Sequence, residues 1–376
     1  MRKISWLLCL LLLFSISVQS QKRGTSRKIK ALMREYKAVG LSVAVVKNNE
    51  LVYVESFGKK NLQTGERLHT RDIFRIASIS KSFSATSIMQ LVEAGKLKLD
   101  DDMSVLMGFP VRNPKYPDIP ITLRMCLSHT SSINDSQGYF TLDAINPAKN
   151  PHTDSCYNNY APGTEYQYCN LNFNMIGAII EKTSGERFDR YVKNHVLAPL
   201  GLYGGYWVDG LDSSLFTPLY EYDSARGFTL AESAYHPRRA EISSYVMGYS
   251  TPIFSPTGGM KISAVDLARY MMMHMNYGES GGVHIISEKS SREMQTPLSA
   301  AGYGLALYKT DRYIPGKTVT GHTGSAYGLY SNMFFQPEEK WGLVLITNGC
   351  SPVSKDGYVE LLRRSAGLLY ERLIAR

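Results

Sequence analysis

Near the start of the chain, the spacing of apolar residues is first typical of a helix and then typical of β-strands. Within residues 26–36, apolar side chains are three or four positions apart, which predicts an amphipathic helix. The runs 41–46 and 51–54 are rich in β-branched residues, and the polar segment 47–50 lies between them. This arrangement predicts a β-hairpin directly after the helix.

A second hairpin and a closing helix are predicted near the other end. The strand-like runs 330–335 and 341–347 flank the polar segment 337–340. The closing helix is predicted from apolar residues spaced four, three and four positions apart: Leu362, Ala366, Leu369 and Leu373. Strands at both ends with helices beside them predict an α+β fold, in which an antiparallel sheet is assembled from the two termini and flanked by the terminal helices.

The middle of the chain has a different pattern. The Pro- and Tyr-rich segments 109–120 and 146–162 predict loops, and a helix is predicted over about 171–183, ended by Gly185. We therefore expect residues from about 105 to 254 to form an inserted, mostly helical lobe.

Neither half of the chain has the pattern of a self-sufficient domain. The length would permit two domains, but the strands of one predicted sheet come from both ends. We expect an α/β lobe made of residues about 26–104 and 255–376, with the helical lobe 105–254 between them. Residues 21–376 would then form a single domain.

The first twenty residues have the pattern of a secretory signal. Arg2 and Lys3 precede the apolar run 4–18, and small and polar residues follow it. We expect cleavage after Ser20 and a periplasmic or secreted location. The apolar run 5–16 is shorter than the roughly 20 residues of a spanning helix, so no stable membrane span is expected after cleavage.

Charge and composition exclude some partners. The chain carries a formal charge of +9, and removal of the signal takes away two basic residues and leaves +7. The lysines and arginines are scattered rather than clustered, so nucleic-acid binding is not expected. A small-molecule or peptide substrate is expected instead, and the oligomeric state stays open.

Four cysteines follow the signal: Cys126, Cys156, Cys169 and Cys350. They form no C-x-x-C pair and have no histidine at zinc spacing, so neither a metal nor another cofactor is expected. Export permits disulfides, and a Cys156–Cys169 bridge would close a short loop. The spacing does not decide between that bridge and two buried thiols.

Ser78 and Lys81 are the first candidates for chemistry. They stand at the start of a helix-forming stretch that continues to Gly95. Three residues are close to one helical turn, so the Lys81 amine can reach the Ser78 hydroxyl and, when neutral, accept its proton. Burial among small residues would lower the pKa of Lys81 and suit it to that role.

Two further motifs follow downstream, Tyr168-Cys169-Asn170 and His322-Thr323-Gly324-Ser325. With Ser78-x-x-Lys81, in this order, they resemble the penicillin-recognising serine hydrolases, which include class C β-lactamases, D-alanyl-D-alanine carboxypeptidases, D-aminopeptidases and related esterases. Two longer stretches match as well: 123–131 and 255–269. The resemblance covers nearly all of the chain after the signal and implies a β-lactamase/transpeptidase-like fold with a single catalytic domain.

The resemblance also implies roles for the residues of these motifs. Ser78 would be the nucleophile, and Lys81 and Tyr168 would transfer protons, with Lys81 favouring the ionised or hydrogen-bonded form of the phenol. Asn170 would orient Lys81 and bind the carbonyl side of the substrate.

The downstream motif would bind the substrate. The backbone N–H groups of Ser78 and Ser325 would form the oxyanion hole, and Gly324 would let the substrate lie along a strand edge. His322 departs from the usual pattern, because the β-lactamases and carboxypeptidases resembled here usually have a lysine that attracts a substrate carboxylate. Neutral imidazole, with an ordinary pKa of about 6.5, attracts carboxylates weakly, so strong penicillinase activity is not expected.

The function implied is that of an exported serine hydrolase that works through an acyl-enzyme on an ester or an amide or peptide bond. Three alternatives stay open: acyl transfer to an alcohol or amine, β-lactamase or D-alanine carboxypeptidase activity, and a sensing module that is acylated and never released. For acyl transfer, five tyrosines could line an aromatic acceptor pocket: Tyr157, Tyr160, Tyr166, Tyr220 and Tyr222.

Three other features are interpreted as structural. His129 is expected to be a hydrogen-bonded core residue far from the active-site motifs. Ser263 with Asp266 has the pattern of a helix cap, and the methionines 271–273 are expected to be buried helix surface.

Overall fold

A six-stranded antiparallel sheet joins the two ends of the chain in the computed structural model, which describes residues 21–375. Its strands, in spatial order, are β10 (Tyr308–Ile314), β11 (Lys317–Ala326), β12 (Leu329–Gln336), β13 (Trp341–Thr347), β1 (Gly40–Lys47) and β2 (Glu50–Gly58). The first strand pairs with the last long one, and Leu41 lies opposite Thr347. This confirms the predicted α+β class, and both predicted hairpins are present. The predicted signal segment 1–20 lies outside the described residues.

Shorter strands form separate small sheets. A three-stranded sheet has the order β3 (Ile73–Arg75), β7 (Lys261–Ser263) and β4 (Gly204–Gly205). Three two-stranded pairs complete the set: β5 (Tyr220–Asp223) with β6 (Gly227–Leu230), β8 (Glu279–Ser280) with β9 (Val283–His284), and β14 (Ser354–Lys355) with β15 (Tyr358–Val359). The three-stranded sheet ties the segment just before Ser78 to the middle of the chain.

The helices are α1 (21–35), α2 (Ser80–Glu93), α3 (Met103–Met107), α4 (Leu123–Leu127), α5 (Asn170–Ser184), α6 (Phe188–Val192), α7 (Arg239–Ser243), α8 (Ala264–Met275), α9 (Glu288–Gln295) and α10 (Glu360–Leu369). π-Helical turns, Lys193–Leu197 and Tyr370–Ile374, extend α6 and α10. Among the described residues, no helix is both long and apolar enough to cross a membrane.

The large sheet is covered on both faces, because alternate residues of a strand point to opposite sides. In β1, Val43 and Val45 belong to the apolar cluster that contains α1 and α10 residues such as Ile29 and Leu362. Ala44 belongs to the other cluster, which includes α2 and α8. The terminal helices therefore cover one face, as predicted, and α2 and α8 cover the other.

Helix α5 positions the middle of the chain against the site. It begins at Asn170 and ends before Gly185, whose φ of 74° is the left-handed conformation that glycine adopts at a helix end. It packs against α2, the helix that carries Lys81. The motifs around Lys81 and Asn170, 89 positions apart, are therefore neighbours in space.

Candidate active site

Ser78 lies in a short 3₁₀ turn, Ala77–Ile79, that runs directly into α2. The preceding Ala77 has a φ of +49°, an uncommon value for a residue with a Cβ. Lys81 follows in the first turn of α2, and its Nζ lies 3.2 Å from Ser78 Oγ. The structure therefore brings the two residues together as their spacing predicts.

Lys81 is fully buried, at 0 % exposure. Its Nζ is 2.9 Å from Asn170 Oδ1 and 3.0 Å from the Thr257 carbonyl oxygen, two atoms that only accept hydrogen bonds. Neutral lysine has two N–H groups and a lone pair, so these acceptors take both N–H groups. The lone pair is then left for the Ser78 hydroxyl.

Burial lowers the pKa of Lys81 to about 7, and the nearby Asp135 carboxylate partly opposes that shift. Burial without a contacting carboxylate disfavours the ammonium form. A substantial neutral fraction is therefore present near neutral pH, which is the form a general base requires.

The orientation of Asn170 is fixed by Asp135. The Asn170 side-chain nitrogen and backbone N–H both donate to Asp135 Oδ2 at 2.9 Å, and Leu171 N–H donates to Oδ1 at 2.9 Å. Because a carboxylate accepts and does not donate, the amide oxygen of Asn170 must face the other way. It accepts from Lys81 and from Thr257 Oγ1, which is 2.8 Å away.

Tyr168 completes the proton-transfer group. Its ring centroid is 4.7 Å from Lys81 Nζ. Burial raises the pKa of Tyr168, and the nearby Ser78 hydroxyl opposes that rise in part. The phenol is therefore protonated, and Tyr168 and Ser78 line the same cavity.

His322 is buried, at 3 % exposure, and both ring nitrogens have partners. Its Nδ1 contacts the Thr323 carbonyl oxygen, so Nδ1 carries the hydrogen. Its Nε2 then accepts from the Tyr303 hydroxyl at 2.8 Å. Burial and the neighbouring Lys81 lower the pKa of His322 to about 3, so the imidazole is neutral.

The strand edge beside Ser78 is open. Strand β10 pairs with β11 only as far as Tyr308, which lies opposite Gly321. Residues 322–326 of β11 therefore have no partner in β10. A Cβ on Gly324 would lie 2.2 Å from the Ile76 carbonyl oxygen, so only glycine fits against the turn before Ser78. Ser325 and Ser78 line the same cavity.

That cavity has a volume of about 800 Å³, and tyrosine is the commonest residue in its walls. The tyrosines that line it are Tyr139, Tyr166, Tyr168, Tyr303, Tyr308, Tyr327 and Tyr358. The idea of an acceptor pocket built from Tyr157, Tyr160, Tyr166, Tyr220 and Tyr222 is wrong for all but Tyr166. Tyr157, for example, instead accepts from the Arg112 backbone N–H.

His129 is closer to the site than the sequence predicts. Its ring centroid is 4.3 Å from that of Tyr168, so the expectation that it lies far from the active-site motifs is wrong. His129 Nδ1 accepts from Cys169 N–H at 3.1 Å. It therefore supports the segment that carries Tyr168, which agrees with its structural interpretation.

The four cysteines within residues 21–375 are free thiols. Cys156 Sγ donates to the Ala144 carbonyl oxygen and Cys169 Sγ to Asp135, each at 3.2 Å. The open question of a bridge is thereby answered in favour of two buried thiols. Among residues 21–375, no group of three or more His, Cys, Asp or Glu side chains could hold a metal ion.

Sequence reasoning missed three residues that hold the site together: Asp135, Thr257 and Tyr303. Asp135 is 35 positions from its partner Asn170, and no local pattern links them. Thr257 accepts from Lys81 through its backbone carbonyl, which any residue has, and its hydroxyl donates to an amide 87 positions away in sequence. Tyr303 is one of 25 tyrosines and belongs to no motif.

The chain belongs to the β-lactamase family, because the Beta-lactamase family model matches residues 25–368. Penicillin-binding protein 4 of Amycolatopsis lactamdurans is 28 % identical, and the match covers 92 % of this chain and 90 % of that protein. Family membership, with the site geometry, identifies the chain as a serine hydrolase.

Solved structures show the same fold. EstCE1, described as a hydrolase with promiscuous acyltransferase activity, matches with a TM-score of 0.69 and 18 % identity over 94 % of this chain and all of its own. The D-amino acid amidase of Ochrobactrum anthropi SV3 matches with a TM-score of 0.70 and 21 % identity, over 95 % of this chain and 99 % of its own.

Proposed function

We propose that this protein is an exported hydrolase that is acylated on Ser78 and acts on neutral esters, or on amide or peptide bonds, in preference to β-lactams. Export rests on the pattern of residues 1–20. The acyl-enzyme rests on family membership and on the contacts of Ser78 and Lys81.

Acylation begins with transfer of the Ser78 hydroxyl proton to the Lys81 lone pair. Ser78 Oγ then forms a bond to the substrate carbonyl carbon, and the carbonyl oxygen takes the negative charge. The backbone N–H groups of Ser78 and Ser325 stabilise that charge.

Collapse of the intermediate breaks the bond to the leaving group. Tyr168, which is protonated, gives its proton to the leaving oxygen or nitrogen and regains one from Lys81. Water then attacks the acyl carbon and loses a proton to the same pair of residues. The bond from the acyl carbon to Ser78 Oγ breaks, the pair returns the proton to Ser78 Oγ, and the acid is released.

The observation that carries the substrate preference is the state of His322. A lysine at this position would offer a cation to a substrate carboxylate. His322 is neutral and buried, and its ring nitrogens are engaged by Thr323 and Tyr303. It therefore has little attraction for the carboxylate of a penicillin.

The activities of two solved proteins that share this fold support the same direction. One is a hydrolase with acyltransferase activity and the other a D-amino acid amidase.

The test compares three chromogenic substrates on one purified sample: p-nitrophenyl butyrate, D-phenylalanine p-nitroanilide and nitrocefin. We expect kcat/KM for the neutral ester or the anilide to exceed that for nitrocefin, with turnover continuing after the first equivalent of product. Preference for nitrocefin by orders of magnitude would establish a β-lactamase instead. A single burst without turnover on every substrate would indicate a sensing module.

A further inference from the structure

Two cationic side chains lie directly opposite each other in the three-stranded sheet. Arg75 of β3 is paired in register with Lys261 of β7. Opposite residues of an antiparallel pair share one face of the sheet, with Cβ atoms about 4.5–5.5 Å apart, and like charges placed there repel. Arg75 is always charged, and Lys261 is only 4 % exposed.

The surroundings of this pair do not neutralise it. Burial and the charge of Arg75 lower the pKa of Lys261 well below its ordinary value, and Arg238 lowers it further. The carboxylate that opposes this shift is Asp189, but Arg187 already engages both of its oxygens, at 2.6 and 2.9 Å.

Both basic side chains retain donors that no described residue accepts. Lys261 Nζ donates to the Tyr206 carbonyl oxygen, and a neutral amine or an ammonium group has at least one further N–H bond. The Arg75 guanidinium donates to the oxygens of Gly258, Ala234 and Ser255. Since it has five N–H bonds, two are left over.

These side chains border a small cavity together with Arg238. Its volume is about 40 Å³, compared with the ~10–15 Å³ that one buried water requires. None of the described residues that line it is an aspartate or a glutamate, although Arg238 pairs at 3.9 Å with Glu241, which does not line it. The cavity is therefore a small space lined by three basic side chains and no acidic one.

We propose that this cavity is an anion site, in which Arg75, Lys261 and Arg238 bind a carboxylate or phosphate group. An anion there would favour the ammonium form of Lys261 beside Arg75 and accept the remaining N–H bonds of both side chains. Neither His322 nor Tyr303 borders the cavity.

The anion site lies beside the cleft that contains Ser78. Four residues line both cavities: Arg75, Phe140, Ser255 and Tyr327. Arg75 is also three positions before Ser78. A substrate acylating Ser78 could therefore place an anionic group in this site, on a side of the cleft away from His322. This last step rests on the proposed function.

The first arm of the test measures binding of inorganic phosphate by thermal unfolding at constant ionic strength. Three proteins are compared: wild type, Lys261→Met, and the control Arg239→Met. Arg239 is next to Arg238 in sequence, but its guanidinium pairs with Asp209 at 2.7 and 2.9 Å and does not border the cavity. The control therefore removes one cation from the surface outside the site.

We expect millimolar phosphate to raise the Tm of wild type and of Arg239→Met by about 2 °C or more, and to leave that of Lys261→Met unchanged. Lys261→Met replaces a buried amine opposite Arg75 with an apolar side chain. The Tm of this variant without phosphate is therefore expected to be no lower than that of wild type. An equal phosphate shift in wild type and Lys261→Met, or no shift in wild type, would overturn the proposal.

The second arm identifies the source of the anion. It measures kcat/KM for mono-p-nitrophenyl adipate, whose acyl chain ends in a carboxylate, and for the neutral p-nitrophenyl hexanoate. The readout is the ratio of kcat/KM for the adipate ester to kcat/KM for the hexanoate ester. If this ratio falls about tenfold in Lys261→Met, and not in Arg239→Met, the site binds a substrate carboxylate. An unchanged ratio with a phosphate-dependent Tm assigns it to a free anion. Absence of turnover on all esters would refute the proposed function and leave the first arm to decide the anion site.

Discussion

The side-chain nitrogen of Asn170 donates to Asp135 Oδ2 at 2.9 Å, and this contact decides which end of the amide faces Lys81. With the nitrogen engaged, the oxygen accepts from Lys81 Nζ. Asp135 also accepts two backbone N–H groups at the start of α5. It is therefore a positioning residue for the general base, although it does not touch Ser78.

Asp135→Asn is expected to weaken catalysis without unfolding the protein. The variant removes a charge that supports the Lys81 ammonium, so the acidic limb of the pH profile of kcat/KM should move to lower pH. Hydrogen bonds to charged groups contribute about 1.5–3 kcal/mol, so kcat/KM should fall by about 10- to 100-fold. The exposed Asp154→Asn is the matched control. If kcat/KM falls but the acidic limb of its pH profile stays in place, Asp135 only stabilises the fold.

The pH dependence of acylation follows from Lys81. The folded pKa is lowered from 10.5 to about 7, and the base acts in its neutral form. For a neutral ester, kcat/KM should be flat above this pH and should fall tenfold per unit below it. The measurement is a profile from pH 5 to 9. A profile flat throughout, or one still rising at pH 9, would contradict a neutral Lys81 base.

Lys81 and Tyr168 are expected to act as one unit, because the amine lies 4.7 Å from the centre of the phenol ring. Lys81→Met and Tyr168→Phe should each lower the acylation rate by about 100- to 10,000-fold, and the double variant should cost little more than either. The control cycle is Lys37→Met with Tyr222→Phe, an exposed pair 2.6 Å apart. If the losses in log acylation rate of the Lys81 and Tyr168 variants add in full in the double variant, the two residues act separately.

His322→Lys is expected to destabilise the protein more than it changes specificity. The new ammonium group would be buried close to Lys81, whose ammonium form would repel it. A buried charge without a partner is costly, so Tm should fall and the ratio of kcat/KM for nitrocefin to that for p-nitrophenyl butyrate should rise only a few fold. His322→Gln, neutral and polar, is the control. A rise of orders of magnitude with unchanged Tm would contradict the buried, neutral environment described for this position.

Much of the frame could be predicted from sequence because its signals are local. The continuous apolar runs in β1 and β13 and the helical spacing of Leu362, Ala366 and Leu369 each follow from which side chains are buried. The spacing of Ser78 and Lys81 is likewise a property of a single helical turn.

What escaped prediction depends on distant contacts. Asp135 acts on a residue 35 positions away, and Arg75 meets Lys261 only because two short strands pair. His129 and Tyr168 are 39 positions apart in sequence, yet their rings are 4.3 Å apart. Neither the hydrophobic periodicity nor the motif spacing of the sequence predicts such long-range contacts.

The central claim is that Ser78 is the residue acylated, and covalent labelling tests it most directly. Wild type is treated with a fluorophosphonate, digested and analysed by mass spectrometry, with Ser78→Ala as the matched control. The account predicts one adduct, on the peptide that contains Ser78, and none on the folded Ser78→Ala variant, whose hydrolytic activity is abolished. Ser255 and Ser325 line the same cavity. Stoichiometric labelling of either in wild type, or retained activity in Ser78→Ala, would contradict the assignment.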